Sequence, residues 1–302
     1  MNNSKTLGYF SILATVLIWG ISFISTKASL DYFNPISLAF WRFFLAVIAL
    51  YIIKKIKYPK VIMGKEDRKI FFLGGISGVF LYFMFENYGL KYLNASTASI
   101  LIAIIPVLTM ISETIIRKEK FSSKKIISVT LSVIGVVLIV GFDPQRNITD
   151  MLIGSALILL ASISWVIYTF LSKPLYKKYT TITIAFYQTL IGFLFFSLLM
   201  PFNNTSILNL PLDIYIHVVY LGVLSSAAAY LLFIYSLENL EATVCNIFIN
   251  LIPVVTVSAG IIFLGEKITF FQGLGAGIII FSILLLTYKK KEPPVREFWL
   301  FL

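Results

Sequence analysis

Two charged residues, Arg42 and Glu86, lie inside long apolar stretches of this chain. A charge within a membrane-spanning segment is costly and is by default a candidate for function. Glu86 could bind an ammonium group or carry a proton, and Arg42 could bind a carboxylate through two parallel hydrogen bonds. A structural role competes with each, because Glu86 could pair with Arg42 or Lys91 and only anchor helices. The residues by themselves leave both alternatives open.

Two sets of aromatic and hydroxyl residues repeat one helical spacing of three and four positions, which places each set on a single helix face. The sets are Trp19, Ser22, Phe23 and Thr26, and Trp165, Tyr168, Thr169 and Ser172. Linings of this mixed kind suit ligands with both apolar and polar parts. We therefore expect these faces to line a binding cavity, with packing between helices as the alternative.

Two proline-containing stretches carry further polar residues. Pro106 and Pro253 each remove a backbone hydrogen bond to the preceding turn, so we predict helix kinks at both. The kinks either permit movement or only shape the packing. Ser99 in the first stretch and Asn246 and Asn250 in the second should face the protein interior, because amide and hydroxyl groups are costly in lipid.

Tyr82 lies one helical turn before Glu86 and shares its face. The predicted ligand contacts are therefore Trp19, Ser22, Tyr82, Glu86, Ser99, Trp165, Tyr168, Asn246 and Asn250. The chain has a single cysteine and a single histidine and shows neither a metal-ligand cluster nor a dinucleotide or ATP-binding motif. We expect no metal, no cofactor and no enzymatic activity.

The elements that carry these residues follow from the hydropathy. Hydrophobic residues make up 59% of the 302-residue chain, charged residues make up 13%, and the mean hydropathy is +0.92. A soluble domain would carry roughly twice that charge. We predict an all-α integral membrane protein with ten transmembrane helices, at 7–26, 35–53, 70–90, 95–116, 126–142, 152–172, 181–200, 214–236, 243–264 and 270–288.

The chain contains an internal repeat. Trp19 corresponds to Trp165 at an offset of 146, and Pro106 corresponds to Pro253 at an offset of 147. Each copy has five predicted spans, and an odd number requires the second copy to sit upside down, as in secondary transporters. We predict a 5+5 inverted-topology repeat around a central cavity, with units 1–147 and 148–288 and a cytoplasmic C-terminal tail at 289–302.

The basic residues indicate the orientation. The net charge of +11 could suggest nucleic acid, but Lys and Arg gather in alternate loops, with seven in 54–69 and none in the corresponding loop 202–213. Positive loops face the cytoplasm. Both termini are therefore expected to be cytoplasmic, in the cell membrane, with the lipid bilayer and no nucleic acid as partner.

Several motifs, in this order and spacing, resemble those of the drug/metabolite transporter superfamily, and in particular its EamA branch of ten-span exporters. They are Ile18-Trp19-Gly20-Ile21-Ser22-Phe23, Phe40-Trp41-Arg42-Phe43, Tyr88-Gly89-Leu90-Lys91-Tyr92, Ala95-Ser96-Thr97-Ala98-Ser99, Ile105-Pro106-Val107 and Leu264-Gly265-Glu266-Lys267. The resemblance implies ten helices around a central cavity. Such proteins mostly export amino acids and related small metabolites.

We expect a secondary transporter of the cytoplasmic membrane that exports an amino acid or a similar small metabolite by alternating access. A flippase for a lipid or lipid-linked headgroup is the alternative. Proton coupling through Glu86 and facilitated diffusion both remain open. The GxxxG spacings Gly74/Gly78 and Gly273/Gly277 predict close helix contacts, within the chain or in a homodimer.

Overall fold

The computed structural model describes residues 3–116, 118–141, 147–202, 207–240, 245 and 248–287. Helices and connecting loops make up this part of the chain, without a strand. Seven of its helical stretches are long and apolar enough to cross a membrane, so the protein is a multi-pass membrane protein. They are Ser4–Ser29, Pro35–Lys57, Arg68–Tyr92, Ala95–Ile116, Ile148–Lys177, Thr181–Phe202 and Leu212–Ser236.

The N-terminal half, up to residue 141, holds seven α-helices and one π-helical segment. The α-helices are α1 (Asn3–Ser29), α2 (Pro35–Lys57), α3 (Arg68–Gly75), α4 (Tyr82–Tyr92), α5 (Ala95–Ile102), α6 (Ile105–Ile116) and α7 (Ser123–Gly141), and the π-helical segment is Ile76–Leu81. Helix α2 begins where its sequence predicts, because Asn34 caps it by accepting a hydrogen bond from Ile36 N, and Pro35 lacks the N–H that a first turn leaves unused.

The C-terminal half, from residue 147, is built in the same way. Its α-helices are α8 (Ile148–Ser172), α9 (Thr181–Leu199), α10 (Leu212–Val219), α11 (Ala229–Asn239), α12 (Ile252–Leu264) and α13 (Phe270–Thr287), and its π-helical segment is Tyr220–Ala228. The predicted spans 126–142 and 270–288 fall on α7 and α13. Of the predicted span 243–264, the structure describes Cys245, residues 248–251 and α12, and the remaining residues lie outside the described part of the chain.

Helices of the two halves pack against each other in a reciprocal pattern. Helix α1 packs on α11 and α12, while α8 packs on α4 and on α5 and α6. Helices α7 and α13 cross closely, because the Gly275 backbone meets the Gly135 backbone and leaves no room for a Cβ. Gly74 and Gly78 also make close contacts, whereas Gly273 and Gly277 face open space within the described structure. Among the described residues the two glycines of the second GxxxG spacing make no close contact, and Gly275 between them does.

Both π-helical segments occupy equivalent positions of the repeat. They end immediately before Tyr82 and Ala229, which are related by the offset of 147. A π-helical turn inserts an extra residue into a helix, changes which side chains face a neighbour, and occurs often at functional sites. Hydropathy does not reveal these segments, and they decide which residues reach the interior.

We name the two ends of the helix bundle after one residue each. The Asn34 end comprises the loops 30–34, 93–94 and 265–269, and the Asp67 end comprises the loops 58–67, 118–122 and 178–180. Contacts such as that of Gly154 on α8 with Tyr92 and Leu93 bring chain segments of both halves together at the Asn34 end.

Candidate functional site

Arg42 on α2 is buried, with 4% of its surface exposed, and contacts the C-terminal half. Its Nε donates to Ser226 Oγ at 2.8 Å and its Nη2 donates to Ser225 Oγ at 3.2 Å. Both serines belong to the π-helical segment Tyr220–Ala228. The guanidinium also stands over the Phe83 ring, 4.3 Å from its centroid, where a cation is attracted to the ring face. Arg42 thus ties the two halves together with neutral partners.

Glu86 on α4 is buried as well and accepts a hydrogen bond from Tyr82 OH, with 3.0 Å between the oxygen atoms. The shared face predicted for these two residues accounts for this contact. Arg42 lies close enough to interact electrostatically with Glu86, but no ion pair joins them among the described residues. Lys91 is exposed and is not paired with Glu86 either. Neither of the direct ion pairs considered from the sequence is formed.

Trp19 and Trp165 lie near the middle of their spans and contact the third span of the opposite half. Trp19 Nε1 donates to the Ser225 carbonyl at 3.1 Å, and its ring lies 5.5 Å from the Phe233 ring. The Trp165 ring lies 5.2 Å from the Tyr82 ring and 5.1 Å from the Tyr168 ring. Repeat-related tryptophans therefore occupy equivalent places with different neighbours.

Tyr168 extends this group of aromatic residues. Its hydroxyl is hydrogen-bonded to the hydroxyl of Tyr230, and its ring packs so closely on Gly78 that a side chain there would collide with it. Ser22 lies beside the group and donates back to the Trp19 carbonyl at 2.7 Å. Bonding of this kind satisfies the hydroxyl hydrogen and leaves the oxygen as an acceptor.

The remaining predicted residues lie in the fourth span of each half, which is broken. Helix α5 ends at Ile102, and Pro106 is the second residue of α6; Pro253 is the second residue of α12. Ser99 is buried and donates to the Ser96 carbonyl at 2.8 Å, and Asn250 is half-buried in the turn before α12. No described hydrogen bond or ring contact joins Ser99 or Asn250 to Arg42, Glu86 or the tryptophans. Asn246 lies outside the described residues.

The structure thus assembles a central polar cluster from both halves: Trp19, Arg42, Tyr82, Glu86, Trp165, Tyr168, Ser225 and Ser226. Sequence reasoning missed Ser225, Ser226, Phe83 and Tyr230. The pair of adjacent serines in an apolar span was the available signal, but the π-helical turn decides that they face Arg42. No group of three or more His, Cys, Asp or Glu in the described residues could hold a metal ion.

The cluster retains unused hydrogen-bonding capacity on both charges. Arg42 Nη1 and Glu86 Oε2 have no hydrogen-bond partner among the described residues. Neither atom is among the fully buried unpaired polar atoms, so both keep some accessible surface. A guanidinium N–H donor and a carboxyl oxygen therefore remain unpaired in the cluster.

The halves also meet at the Asp67 end through a polar contact. Lys178 Nζ donates to Asp67 Oδ1 at 2.9 Å, and Tyr179 OH donates to Asp67 Oδ2 at 2.8 Å. The Lys178 hydrogen bond, followed by that of Tyr179, lowers the pKa of the Asp67 carboxyl. The same bond to Asp67 raises the pKa of Lys178. The Gly64 backbone N–H donates to the Tyr179 hydroxyl at 3.0 Å, so the loop before α3 is held to the loop before α9.

At the Asn34 end a carboxylate caps a helix of the other half. Glu266 accepts hydrogen bonds from Ala95 N at 2.8 Å and Ser96 N at 3.0 Å, and from the Ser96 hydroxyl. These are the free N–H groups of the first turn of α5, where negative charge is favoured. Glu266 therefore connects the loop after α12 to the start of α5.

Comparison with known proteins agrees with this architecture. The sequence profile of the EamA-like transporter family matches residues 6–141 and again residues 152–288. An uncharacterized transporter of Archaeoglobus fulgidus is 33% identical over 91% of this chain and 97% of its own length. A probable terminal-alkyne amino-acid exporter of Streptantibioticus cattleyicolor is 25% identical over 85% of each chain.

A solved crystal structure shares the fold. Its superposition has a TM-score of 0.65 and covers 95% of this chain and 97% of the other, at 15% sequence identity. The family profile covers both halves of the chain, including the helices that carry the central polar cluster. The protein belongs to the EamA-like transporter family.

Proposed function

We propose that the protein is a secondary transporter of the cytoplasmic membrane that exports an amino acid or a similar small metabolite by alternating access. The central polar cluster carries this proposal, because it joins both halves within the membrane-spanning segments. A buried site between two halves can open to either side when the halves rock against each other. The exporter of Streptantibioticus cattleyicolor supports an amino acid as cargo. No reported relative points to lipid flipping.

The proposed architecture is two five-helix units in inverted orientation, 1–147 and 148–288, followed by the tail 289–302. Three features support it: the family profile matches the chain twice, the two halves pack reciprocally, and both π-helical segments and both broken fourth spans recur at matching positions. The basic loop 54–69 belongs to the Asp67 end, which we assign to the cytoplasm together with both termini.

Alternating access requires contacts between the halves that form and break at each end. Asp67 with Lys178 and Tyr179 supplies such contacts at the Asp67 end, and Glu266 with α5 supplies them at the Asn34 end. The energy is assigned to a substrate or ion gradient, since the sequence has no ATP-binding motif. Loss of pH-dependent transport in Glu86→Gln would favour coupling to protons over facilitated diffusion.

The test is untargeted mass spectrometry of the medium of bacteria that express the protein. Wild type is compared with the double variant Trp19→Ala/Trp165→Ala and with Phe263→Ala, a matched aromatic substitution at a side chain that is 72% exposed. We expect one metabolite to accumulate outside cells that express wild type or Phe263→Ala, and not outside cells with the double variant. If each protein is present in the membrane and the media of all strains contain the same metabolites at the same concentrations, export is contradicted.

A further inference from the structure

We propose that Arg42 and Glu86 are the two poles of a binding site for a zwitterion, with Arg42 binding the carboxylate and Glu86 binding the ammonium group of the ligand. This inference rests on the proposed transport function and adds to it the charge pattern of the cargo and the orientation in which it binds.

A buried charge is stable only when it is paired and hydrogen-bonded. Arg42 has two neutral hydroxyl partners and two aromatic rings, Phe43 and Phe83, and Glu86 has one phenol. The two charges lie within electrostatic reach, yet they do not form an ion pair. Arg42 Nη1 and Glu86 Oε2 remain available. The guanidinium of Arg42 and the carboxyl group of Glu86 thus lie in one buried cluster without an ion pair between them.

A ligand that carries both charges satisfies this arrangement. An amine without a carboxylate would leave Arg42 without an anionic partner, and a carboxylate without an amine would leave Glu86 without a cationic one. Removal of one partner from a buried charged pair is strongly destabilising because the other charge is left uncompensated. The site therefore discriminates by requiring both groups, as sites with buried polar groups reject ligands that cannot pair them.

The surroundings indicate what else the ligand carries. Trp19 with Phe233 and Trp165 with Tyr82 place aromatic rings beside the charged pair. Rings of this kind favour an apolar side chain next to the charged groups. The expected ligand is a zwitterion with an apolar side chain.

The repeat contains only one such pair. The residues equivalent to Arg42 and Glu86 are Gln188 and Phe233. Gln188 is buried and donates to Ser172 Oγ at 2.9 Å, while Phe233 packs on Trp19. The pseudo-symmetric position offers no charges, so one orientation of the ligand is favoured.

The experiment measures equilibrium binding to the purified full-length protein with three matched probes: leucine, 3-methylbutan-1-amine and 4-methylpentanoate. They share a branched apolar chain and differ in carrying both charges, only the ammonium, or only the carboxylate. We expect leucine to bind at least tenfold more tightly than either analogue. Arg42→Gln introduces the residue type found at the repeat counterpart, Gln188. In this variant leucine should bind no more tightly than 3-methylbutan-1-amine. In Glu86→Gln leucine should bind no more tightly than 4-methylpentanoate.

Lys91→Gln is the matched control, because Lys91 is a charged but exposed residue of the same helix as Glu86. It should leave all three affinities unchanged. Arg42→Lys and Glu86→Asp keep the charges and should keep the ranking of the probes, which separates loss of charge from loss of folding. Size-exclusion profiles verify that each variant is folded.

The inference is overturned if either analogue binds wild type as tightly as leucine, or if both glutamine variants weaken all three probes equally. It is also overturned if none of the twenty protein amino acids binds. Other results separate this inference from the transport proposal. Export of a singly charged metabolite would support the exporter and contradict the zwitterion site. Selective binding of leucine without any export would support the site and contradict the exporter.

Discussion

The two ends of the bundle are held together by contacts of different physical kinds. At the Asp67 end, side chains meet side chains, and Lys178 remains half exposed to solvent while Asp67 is buried. At the Asn34 end, the Glu266 carboxylate meets backbone N–H groups of α5. A contact between side chains can separate without disturbing either helix, whereas removal of the carboxylate leaves the first turn of α5 without a cap. The Asp67 end should therefore open at a lower free-energy cost than the Asn34 end.

The largest effect is expected from Glu266→Ala. The substitution removes three hydrogen bonds to the start of α5, two of them to backbone N–H groups, and should lower the free energy of unfolding by about 2 kcal/mol. Chemical unfolding of the purified protein measures this loss. Lys267→Ala, at the exposed neighbouring position, is the control. Equal stability of the two variants would show that the cap does not hold the Asn34 end.

A smaller effect is expected from Asp67→Asn, because solvent screens the contact with the half-exposed Lys178. The loss of stability should be less than for Glu266→Ala, and only the Asp67 end should open. The opening is measured by the alkylation rate of a single cysteine, introduced at Ser172 or at Ser99 in a Cys245→Ser background. Asp67→Asn should raise the alkylation rate of the cysteine at Ser172 and leave that of the cysteine at Ser99 unchanged. Glu66→Gln, at an exposed neighbouring carboxylate, serves as the control. Faster labelling at Ser99 in Asp67→Asn would contradict the expectation that only the Asp67 end opens.

The pH dependence of the Asp67 end follows from the lowered pKa of its carboxyl. The group is ionised more readily in the folded protein, so its contribution is fully present above the ordinary aspartate pKa of 3.8 and is lost as the pH falls through the lower folded value. The difference in unfolding temperature between wild type and Asp67→Asn should be constant from about pH 8 to about pH 5 and should shrink below the ordinary value. A difference that already shrinks near neutral pH would contradict this assignment.

The smallest effect is expected from Tyr179→Phe. It removes the hydroxyl that bonds Asp67 and Gly64 but keeps the ring, whose centroid lies 5.1 Å from that of Phe71. The expected loss is about 0.5–1 kcal/mol by chemical unfolding. Tyr32→Phe, an exposed tyrosine at the Asn34 end, should show no loss. A loss larger than that of Asp67→Asn would reverse the ranking and make the phenol the main contact of the Asp67 end.

Much of the architecture could be predicted because it depends on local physics. Apolar stretches of membrane length form helices, and Asn34-Pro35 marks the start of α2 without any tertiary information. Helical spacing also placed Tyr82 and Glu86 on one face, where the structure has their hydrogen bond. The family resemblance rested on the order and spacing of several motifs, and the family profile confirms it. All of the predicted ligand contacts, including Tyr82, Glu86 and Asn246, stay predictions.

Composition, residue spacing and motif order along the chain were enough to predict apolar helices of membrane length, the internal repeat and the family of this protein. The hydrogen-bond partners of the charged side chains, in contrast, follow from the tertiary structure. Arg42 meets Ser225 and Ser226 instead of Glu86, and Glu266 caps a helix 170 residues away. Such contacts depend on how the halves pack and on where π-helical turns rotate a side chain toward its neighbour, and neither leaves a periodic signal in the sequence.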